Sequence, residues 1–366
     1  MESHAFDQSV RRPRSPEHCA NVPNTASMDI SVLIVCWNSA SCIRHCLASL
    51  DPAGHQSALE VILVDNGSKD DTVAIVRAEF PQVNLIEAGA NLGFARATNL
   101  ASGQANGRYL FLLNPDAKVV PGSLDRLTGF MDSHPEAGAI SPKILDEDGT
   151  PALFAVREFP SVAGTIIRQF GLRKLFPHHH YFGRETLAPS KRNSAAPVPC
   201  VTGAALMVSR TLFNQLGGLD EELPMYFEDL DLCARIGCRH PIYHVPTAQV
   251  VHIGAKSANG ASARSLLLAM ENGEAPWMYL RRYRGVWHAH AFTIITFVSS
   301  LARVAVLGSF LPLASALGRD RASWTRVRIR RSLALVEWCL SSRTHFYSRV
   351  ASFFDLAKPN QSEVAA

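Results

Sequence analysis

The sequence lacks the markers of several large protein classes. Its eight cysteines show neither the spacing of a zinc knuckle nor a disulfide framework, so we expect reduced thiols in a cytoplasmic protein. The formal charge is only +4, which argues against a dedicated nucleic-acid-binding protein. Residues 1–28 have no apolar core behind their arginines, so no secretory signal is predicted; their polar composition indicates a disordered tail.

Two phosphate-binding motifs are also missing. No Gly-x-Gly-x-x-Gly follows the first apolar run, and no P-loop is present, which argues against dinucleotide-dependent dehydrogenases and P-loop NTPases. Residues 36–42 contain neither Lys nor Arg. A nucleotidyltransferase needs a basic loop for a triphosphate near that position, so this class is disfavoured as well.

What the sequence does contain is an alternation of strand and helix patterns. Short apolar runs at residues 30–35, 61–64, 83–86 and 109–113 are separated by segments with helical spacing. Further strands are expected near residues 139–145, 198–209 and 242–252, with a helix beginning at Glu228. This order predicts an α/β fold with a mostly parallel sheet flanked by helices, and ligands bind beyond the carboxyl ends of such strands.

Polar side chains follow the second and third predicted strands. Asp65 can accept a hydrogen bond from the N3–H of a pyrimidine, and Asn66 adds an amide. Asn91 and Gly93 precede a helix whose amino end favours phosphate, and Arg96 can pair with a diphosphate. Each of these motifs also fits an ordinary turn or capped helix.

Acidic residues and a histidine mark later segments. Asp116 follows the fourth strand and can hold a divalent cation against a diphosphate, although Asn-Pro-Asp also forms turns readily. Glu228 and Asp229 begin a helix among apolar neighbours, where burial suits a general base. His252 ends an apolar strand and is either a structural residue or a second metal ligand.

Together these motifs resemble glycosyltransferase family 2, the inverting GT-A enzymes, and in particular its rhamnosyltransferase-like branch. The similarity spans roughly residues 29–285. The pieces that carry it are Ile34-Val35-Cys36-Trp37-Asn38, Val64-Asp65-Asn66-Gly67-Ser68, Asn91-Leu92-Gly93-Phe94-Ala95, Leu113-Asn114-Pro115-Asp116, Thr202-Gly203-Ala204, Gly217-Gly218-Leu219-Asp220-Glu221, Tyr226-Phe227-Glu228-Asp229-Leu230-Asp231-Leu232 and His252.

The resemblance implies a role for each piece. Asp65 would read the base of a uridine or thymidine diphosphate sugar, Asp229 would be the catalytic base beside Glu228, and Asp116 and His252 would bind Mg²⁺ or Mn²⁺. The nucleotide-sugar site would also include Asn38, Asn66, Asn91, Gly93, Arg96, Asn114 and Gly203.

Two positions depart from the family pattern. Asn114 stands where many members have Asp, which leaves one carboxylate for the metal. Trp37 stands where Tyr is usual before Asn38.

The implied activity is transfer of L-rhamnose from dTDP-rhamnose to a lipid-linked or polysaccharide acceptor in cell-envelope glycan synthesis. Other donors, namely UDP-galactofuranose, a UDP-N-acetylhexosamine or GDP-mannose, remain alternatives. A nucleotidyltransferase and an inactive sugar-binding module are less favoured.

The chain is predicted to divide into a GT-A domain and a membrane-associated region. The domain would cover residues 29–275, with a nucleotide-binding half up to 120 and an acceptor half from 121. In residues 276–366 the apolar stretch 291–318 is long enough to span a bilayer, but Arg303 and Pro312 interrupt it. We expect one or two helices in the cytoplasmic interface of the plasma membrane, flanked by arginines that meet anionic lipid. The alternative is a helical appendage packed on the enzyme.

Overall fold

The computed structural model describes residues 28–152, 154–172, 193–223, 226–253 and 261–356. The tail predicted for residues 1–28 lies outside these ranges, apart from Met28.

The first half of the chain forms the predicted βαβαβαβ unit. Strands β1 to β4 pair in parallel, β1 lying between β2 and β4. Alternate residues of β1 are buried on opposite faces of the sheet, because helices cover both. The elements are β1 (Ile30–Cys36), α1 (Ile43–Ala48), β2 (Leu59–Asp65), α2 (Thr72–Glu79), β3 (Asn84–Glu87), α3 (Phe94–Ser102) and β4 (Tyr109–Leu113).

The second half completes the sheet and makes it mixed. Within the described residues the strand order is β3-β2-β1-β4-β10-β6-β11-β5, and β8 pairs with β11. Strand β10 runs antiparallel to both β4 and β6, so the sheet is parallel in its first half and mixed overall. The elements are β5 (Ala117–Val119), α4 (Ser123–Ser133), β6 (Ala139–Leu145), β7 (Val156–Arg157), α5 (Val162–Gln169), β8 (Ala196–Val198), β9 (Cys200–Val201), β10 (Ala205–Ser209), α6 (Arg210–Gln215), α7 (Glu228–Gly237) and β11 (Ile242–His252).

The single strand predicted for residues 198–209 was wrong. Three strands occupy this stretch: β8 pairs with β11, β9 pairs with β7 in a separate two-stranded sheet, and β10 joins the main sheet. Pro199 stands between β8 and β9 and has no N–H to donate to a ladder, so the chain leaves the main sheet there. The turn at residues 202–204 then returns the chain to the main sheet beside β4.

The C-terminal region is helical, as predicted, and the helix at residues 275–284 contacts the preceding part of the chain. Tyr279 is buried and stacks on Phe159 with 5.1 Å between ring centroids. The Tyr283 hydroxyl donates to Asp231 at 2.6 Å. These contacts join the two regions on either side of the predicted domain boundary at residues 275/276. That boundary remains a prediction. The elements are α8 (Ala261–Ala269), a π-helix (Met270–Glu274), α9 (Ala275–Arg284), α10 (Val286–Ala316), α11 (Arg319–Leu340) and α12 (Arg343–Phe354).

A buried carboxylate ties these helices together. Glu274 is 1% exposed and accepts hydrogen bonds from Trp338 Nε1 at 2.7 Å, Arg343 at 2.8 Å and the Tyr347 hydroxyl at 2.7 Å. The Arg343 guanidinium also lies over the ring of Trp277 at 4.3 Å. Charge-assisted bonds of this kind are stronger than neutral ones. We call these five residues the Glu274 cluster; it joins α9 to α11 and α12.

Helix α10 is the one described helix that could cross a membrane by length and composition. Its 31 residues span about 46 Å, more than the roughly 30 Å of a hydrocarbon core. Only 17% of its most apolar window is buried inside the protein. Arg303 turns towards the protein, where it contacts Gln169 of α5 and the Ser299 carbonyl.

Candidate active site

Asp65 lies at the carboxyl end of β2 with one oxygen available. The parallel register sets Asp65 opposite Cys36 on one side and Glu87 on the other. The residue is 4% exposed, and its Oδ2 accepts the Ser68 N–H at 3.1 Å. Its Oδ1 is buried and has no hydrogen-bond partner among the described residues. A buried carboxylate oxygen without a donor is energetically unfavourable, so this atom is suited to accept an N–H from a ligand.

Asn66, Asn91 and Gly93 form a hydrogen-bonded loop beside Asp65. Asn66 Nδ2 donates to Asn91 Oδ1 at 2.8 Å and to the Gly93 carbonyl at 3.3 Å. Asn66 Oδ1 accepts the Leu92 N–H at 2.8 Å, and Asn91 Oδ1 accepts the Gly93 N–H at 3.0 Å. The two amides are therefore engaged within the protein. These two side chains fix the shape of the loop. A sugar-nucleotide donor would therefore contact the backbone of the loop and not these amides.

Asn38 and Arg96 are also engaged by the protein. Asn38 has a φ of +51°, its Oδ1 accepts the Lys69 N–H at 2.8 Å, and its N–H donates to Ser68 Oγ at 2.9 Å. Asn38 thus links the loops after β1 and β2. Arg96 Nε lies 3.6 Å from Glu221 Oε2, and this pair is well exposed. Exposed pairs of this kind are weak, so a diphosphate could compete for Arg96.

The structure brings Asp116 and His252 together. Strand β5 pairs antiparallel with β11, His252 lies opposite Ala117, and His252 Nε2 is 3.2 Å from Asp116 Oδ1. The two side chains are 11% and 13% exposed. Asn114 Nδ2 lies 3.4 Å from His252 Nε2, and Phe154 packs edge-on against the imidazole at 5.3 Å. A carboxylate oxygen and an imidazole nitrogen at this distance fit a shared divalent cation.

The protein supplies only part of a metal coordination shell here. In the stretches that the structure describes, no three His, Cys, Asp or Glu side chains cluster as metal ligands. Mg²⁺ and related cations keep several waters and bind through one or two protein groups plus substrate phosphates. The Asp116–His252 pair is therefore suited to a cation that binds together with a nucleoside diphosphate.

Asp229 lies in the first turn of α7 and is held by three donors. Arg157 of β7 forms an ion pair with its Oδ2, and the Gly203 N–H donates to the same oxygen at 3.2 Å. The Leu230 N–H donates to Oδ1 at 2.8 Å. Burial lowers the pKa of the Arg157 guanidinium, but Asp229, acting together with the nearby Cys200, Cys233 and Glu271, raises this pKa overall. The ion pair and the two backbone N–H groups thus hold the nearly buried Asp229 carboxylate in one orientation.

Glu228, the neighbouring acid, has a different environment. It is 7% exposed, and its Oε2 is buried without a partner in the part of the chain that the structure describes. Burial, and next the charge of Asp229, raise the pKa of Glu228 to about 8. Near neutral pH the buried Glu228 side chain therefore favours its protonated form.

A short turn connects Asp229 to the Asp116–His252 pair. The Gly203 N–H donates to Asp229, and the carbonyl of the following residue, Ala204, accepts the Asn114 N–H at 3.0 Å. Asn114 in turn contacts His252. Side chains that are far apart in sequence are thus joined through one turn at the carboxyl end of β4.

Tyr226 lies among the same carboxylates. Burial, followed by the charges of Glu271, Glu228, Asp229 and Asp116, raises the pKa of the Tyr226 phenol. Its φ of +74° is unusual for a residue other than glycine. Such backbone strain is found mainly at functional sites.

Sequence reasoning missed Arg157 and Tyr226 as site residues. Arg157 lies in an irregular segment 72 residues before Asp229, and nothing local marks it as the partner of that acid. Tyr226 stands within the motif around Asp229, but its backbone conformation has no sequence signature. The pairing of Asp231 with Arg235, expected from their spacing, is confirmed at 2.7 Å.

Comparison with known proteins identifies the class. The model of the family described as glycosyl transferase family 2 matches residues 31–216. An N-acetylglucosaminyl-diphospho-decaprenol L-rhamnosyltransferase of Mycobacterium tuberculosis is 33% identical over 325 residues, which cover 84% of this chain and 98% of that protein. The chain therefore belongs to glycosyltransferase family 2 and is a glycosyltransferase, as the sequence motifs predicted.

Two further matches are more distant. A low-salt glycan biosynthesis hexosyltransferase, Agl10, of Haloferax volcanii is 26% identical over 239 residues, covering 64% of this chain and 69% of that protein. The mannosyltransferase PcManGT of Pyrobaculum calidifontis, solved with GDP-Man and Mn²⁺, has a TM-score of 0.49 at 20% identity. The structural match covers 85% of this chain and 87% of the mannosyltransferase chain.

Proposed function

We propose that this enzyme transfers L-rhamnose, with inversion, from dTDP-rhamnose to a lipid-linked acceptor that carries an N-acetylglucosaminyl diphosphate. The mycobacterial relative is named for that sugar and that acceptor, and the present chain matches 98% of its length. The observation that carries the proposal is the connection of Asp229 to the Asp116–His252 pair through the turn at residues 203–204.

Each residue is given a chemical role in this reaction. Asp65 Oδ1 accepts the N3–H of the pyrimidine base, because that oxygen is buried without a donor. Asp116 and His252 hold Mg²⁺ or Mn²⁺. When bound, the cation supplies charge neutralisation for the departing diphosphate. Asp229 removes the proton from the acceptor hydroxyl while Arg157 holds the carboxylate in place.

We propose that the enzyme works at the cytoplasmic face of the plasma membrane, where it would meet a lipid-linked acceptor. Much of α10 faces outward with apolar side chains, including Ile294, Val298, Phe310 and Leu313, each at least half exposed. Helix α11 packs against α10 and carries exposed arginines, which suit anionic lipid headgroups. Those arginines are Arg319, Arg321, Arg326, Arg328, Arg330 and Arg331.

We propose peripheral or shallow insertion for α10 because Arg303 is held against α5 within the protein. Extraction of membranes at high pH tests this arrangement. Release of the protein fits a peripheral enzyme, whereas retention in the membrane would require a spanning helix.

The catalytic assignment is tested with Asp229→Asn. General-base catalysis contributes about 10²–10⁴-fold to rate, so this variant should lose turnover by that factor while its affinity for dTDP in the presence of Mn²⁺ is kept. Asp132→Asn is the matched control, since Asp132 binds Arg108 and Tyr109 at the opposite edge of the sheet. Near-normal turnover of Asp229→Asn would contradict the assignment.

The donor and the cation are tested by calorimetry with dTDP, UDP and GDP, each with and without Mn²⁺. We expect tightest binding of dTDP with Mn²⁺ and loss of the Mn²⁺ dependence in Asp116→Ala. If the enzyme prefers UDP or GDP, the donor would be a galactofuranose, N-acetylhexosamine or mannose nucleotide instead of dTDP-rhamnose. The proposed reaction mechanism would be unchanged.

A further inference from the structure

The end of α12 touches the loops that follow three successive strands of the sheet. After β1, the ring of Trp37 lies 5.7 Å from that of Phe354. After β2, Lys69 Nζ pairs with Asp355 at 2.5 Å. After β3, Asn91 Nδ2 donates to the Phe354 carbonyl at 2.7 Å. These loops surround Asp65, so residues 354–356 lie against the proposed nucleotide site.

Asn91 is the central residue of this contact. Its Nδ2 is bound to α12, while its Oδ1 accepts from Asn66 and from the Gly93 N–H. Leu356 forms a β-bridge with Asn91, and its side chain lies 3.9 Å from where a Cβ on Gly93 would be. The Asn91 side chain thus donates to the Phe354 carbonyl and accepts from the loop at residues 91–93. A shift of that carbonyl would therefore shift the loop.

The segment that makes these contacts is firmly anchored. Phe346, Val350 and Phe354 are all at most 6% exposed and pack in the same apolar cluster as Trp338. Arg343 and Tyr347 of the same helix belong to the Glu274 cluster. Helix α12 is therefore held on the body of the protein by its whole length, so its end can impose a position on the loops.

We propose that residues 354–356 are a positioning element of the donor site, which fixes the loop at residues 91–93 in the shape that binds the nucleoside diphosphate. The inference rests on the proposed donor site and extends it to a helix outside the region that the family model matches. Phe354 acts through Asn91 and does not itself touch the reacting atoms. The chemistry at Asp229 and the acceptor affinity are independent of it.

The test compares Phe354→Ala with Phe346→Ala. Both changes remove the same ring from the same helix and cluster, but Phe346 packs towards α8 and α11, away from the three loops. Hydrogen exchange is measured at the amides of Leu92 and Gly93, together with the affinity for dTDP plus Mn²⁺. We expect faster exchange and about tenfold weaker binding in Phe354→Ala alone, as when the competent loop is populated about one tenth of the time.

The outcomes separate this inference from the proposed function. Unchanged exchange or affinity in Phe354→Ala, or equal effects in both variants, would overturn the positioning role and leave the donor assignment intact. Absence of nucleotide binding by the wild-type enzyme would overturn the donor assignment, and with it the positioning role. If either alanine variant fails to fold, Phe354→Leu and Phe346→Leu give the same comparison with a smaller loss of packing.

Discussion

The protonation of Glu228 makes a quantitative prediction for stability. The pKa of this residue is raised to about 8 by burial and by Asp229, whereas an unfolded glutamate titrates near 4.3. Between these values the native state holds a proton that the unfolded state has released. Stability from this group is therefore full below about pH 4 and is lost as pH rises through about 8.

The size of the effect follows from the proton count. One extra proton in the native state gives a slope of up to about 1.4 kcal/mol per pH unit. From pH 5.5 to 7.5 the wild type should therefore lose about 3 kcal/mol relative to a Glu228→Gln variant, whose amide resembles the protonated acid and does not titrate. The two stability curves should converge at low pH, and the variant should be the more stable one above pH 8.

Thermal unfolding from pH 5 to 8.5 measures this difference. Glu147→Gln is the control, because Glu147 is exposed on the turn after β6. Its curve should run parallel to that of the wild type. If the Glu228→Gln curve also runs parallel to the wild type across this range, Glu228 does not hold a proton in the native state and the reasoning fails.

Three further predictions follow from the ion pairs and the helices. Arg157→Met leaves Asp229 buried without its partner and should lower the free energy of unfolding by about 3–5 kcal/mol; calorimetry would detect this, and an unchanged melting temperature would contradict it. Glu274→Ala leaves Arg343 and two further donors unpaired and should destabilise the protein by a similar amount, which chemical denaturation measures against the exposed control Glu337→Ala. Serine substitution of three exposed α11 arginines should weaken binding to phosphatidylserine vesicles by about 1 kcal/mol each, and retention of full binding would remove α11 from the membrane contact. The three are Arg321, Arg326 and Arg330.

The strands of the first half were predictable because each is a short apolar run with helical spacing between it and the next. Strand β11 was predicted with its exact bounds for the same reason. The division of residues 198–209 was not predictable from hydrophobicity, since all three strands are mostly apolar. Pro199 marks the break between β8 and β9, and the turn at residues 202–204 separates β9 from β10. The partners that these strands pair with are set by the folded sheet.

The candidate site shows a similar division. Carboxylates at strand and helix ends, such as Asp65 and Asp116, are visible in sequence because parallel topology fixes where they must lie. The internal engagement of Asn66 and Asn91 was not visible. An asparagine that binds a ligand and one that only shapes the loop look alike in the sequence. Hydrogen bonds to residues 25 and 263 positions away in the chain distinguish them.

The position of residues 354–356 has a practical consequence for the design of fusion proteins. A tag or reporter joined shortly after Leu356 would emerge beside the loops that follow β1, β2 and β3. One joined ahead of Met28 would emerge near the other edge of the sheet, where β1 begins. Purification handles and immobilisation on a sensor surface therefore belong at the amino-terminal side, away from the proposed nucleotide site.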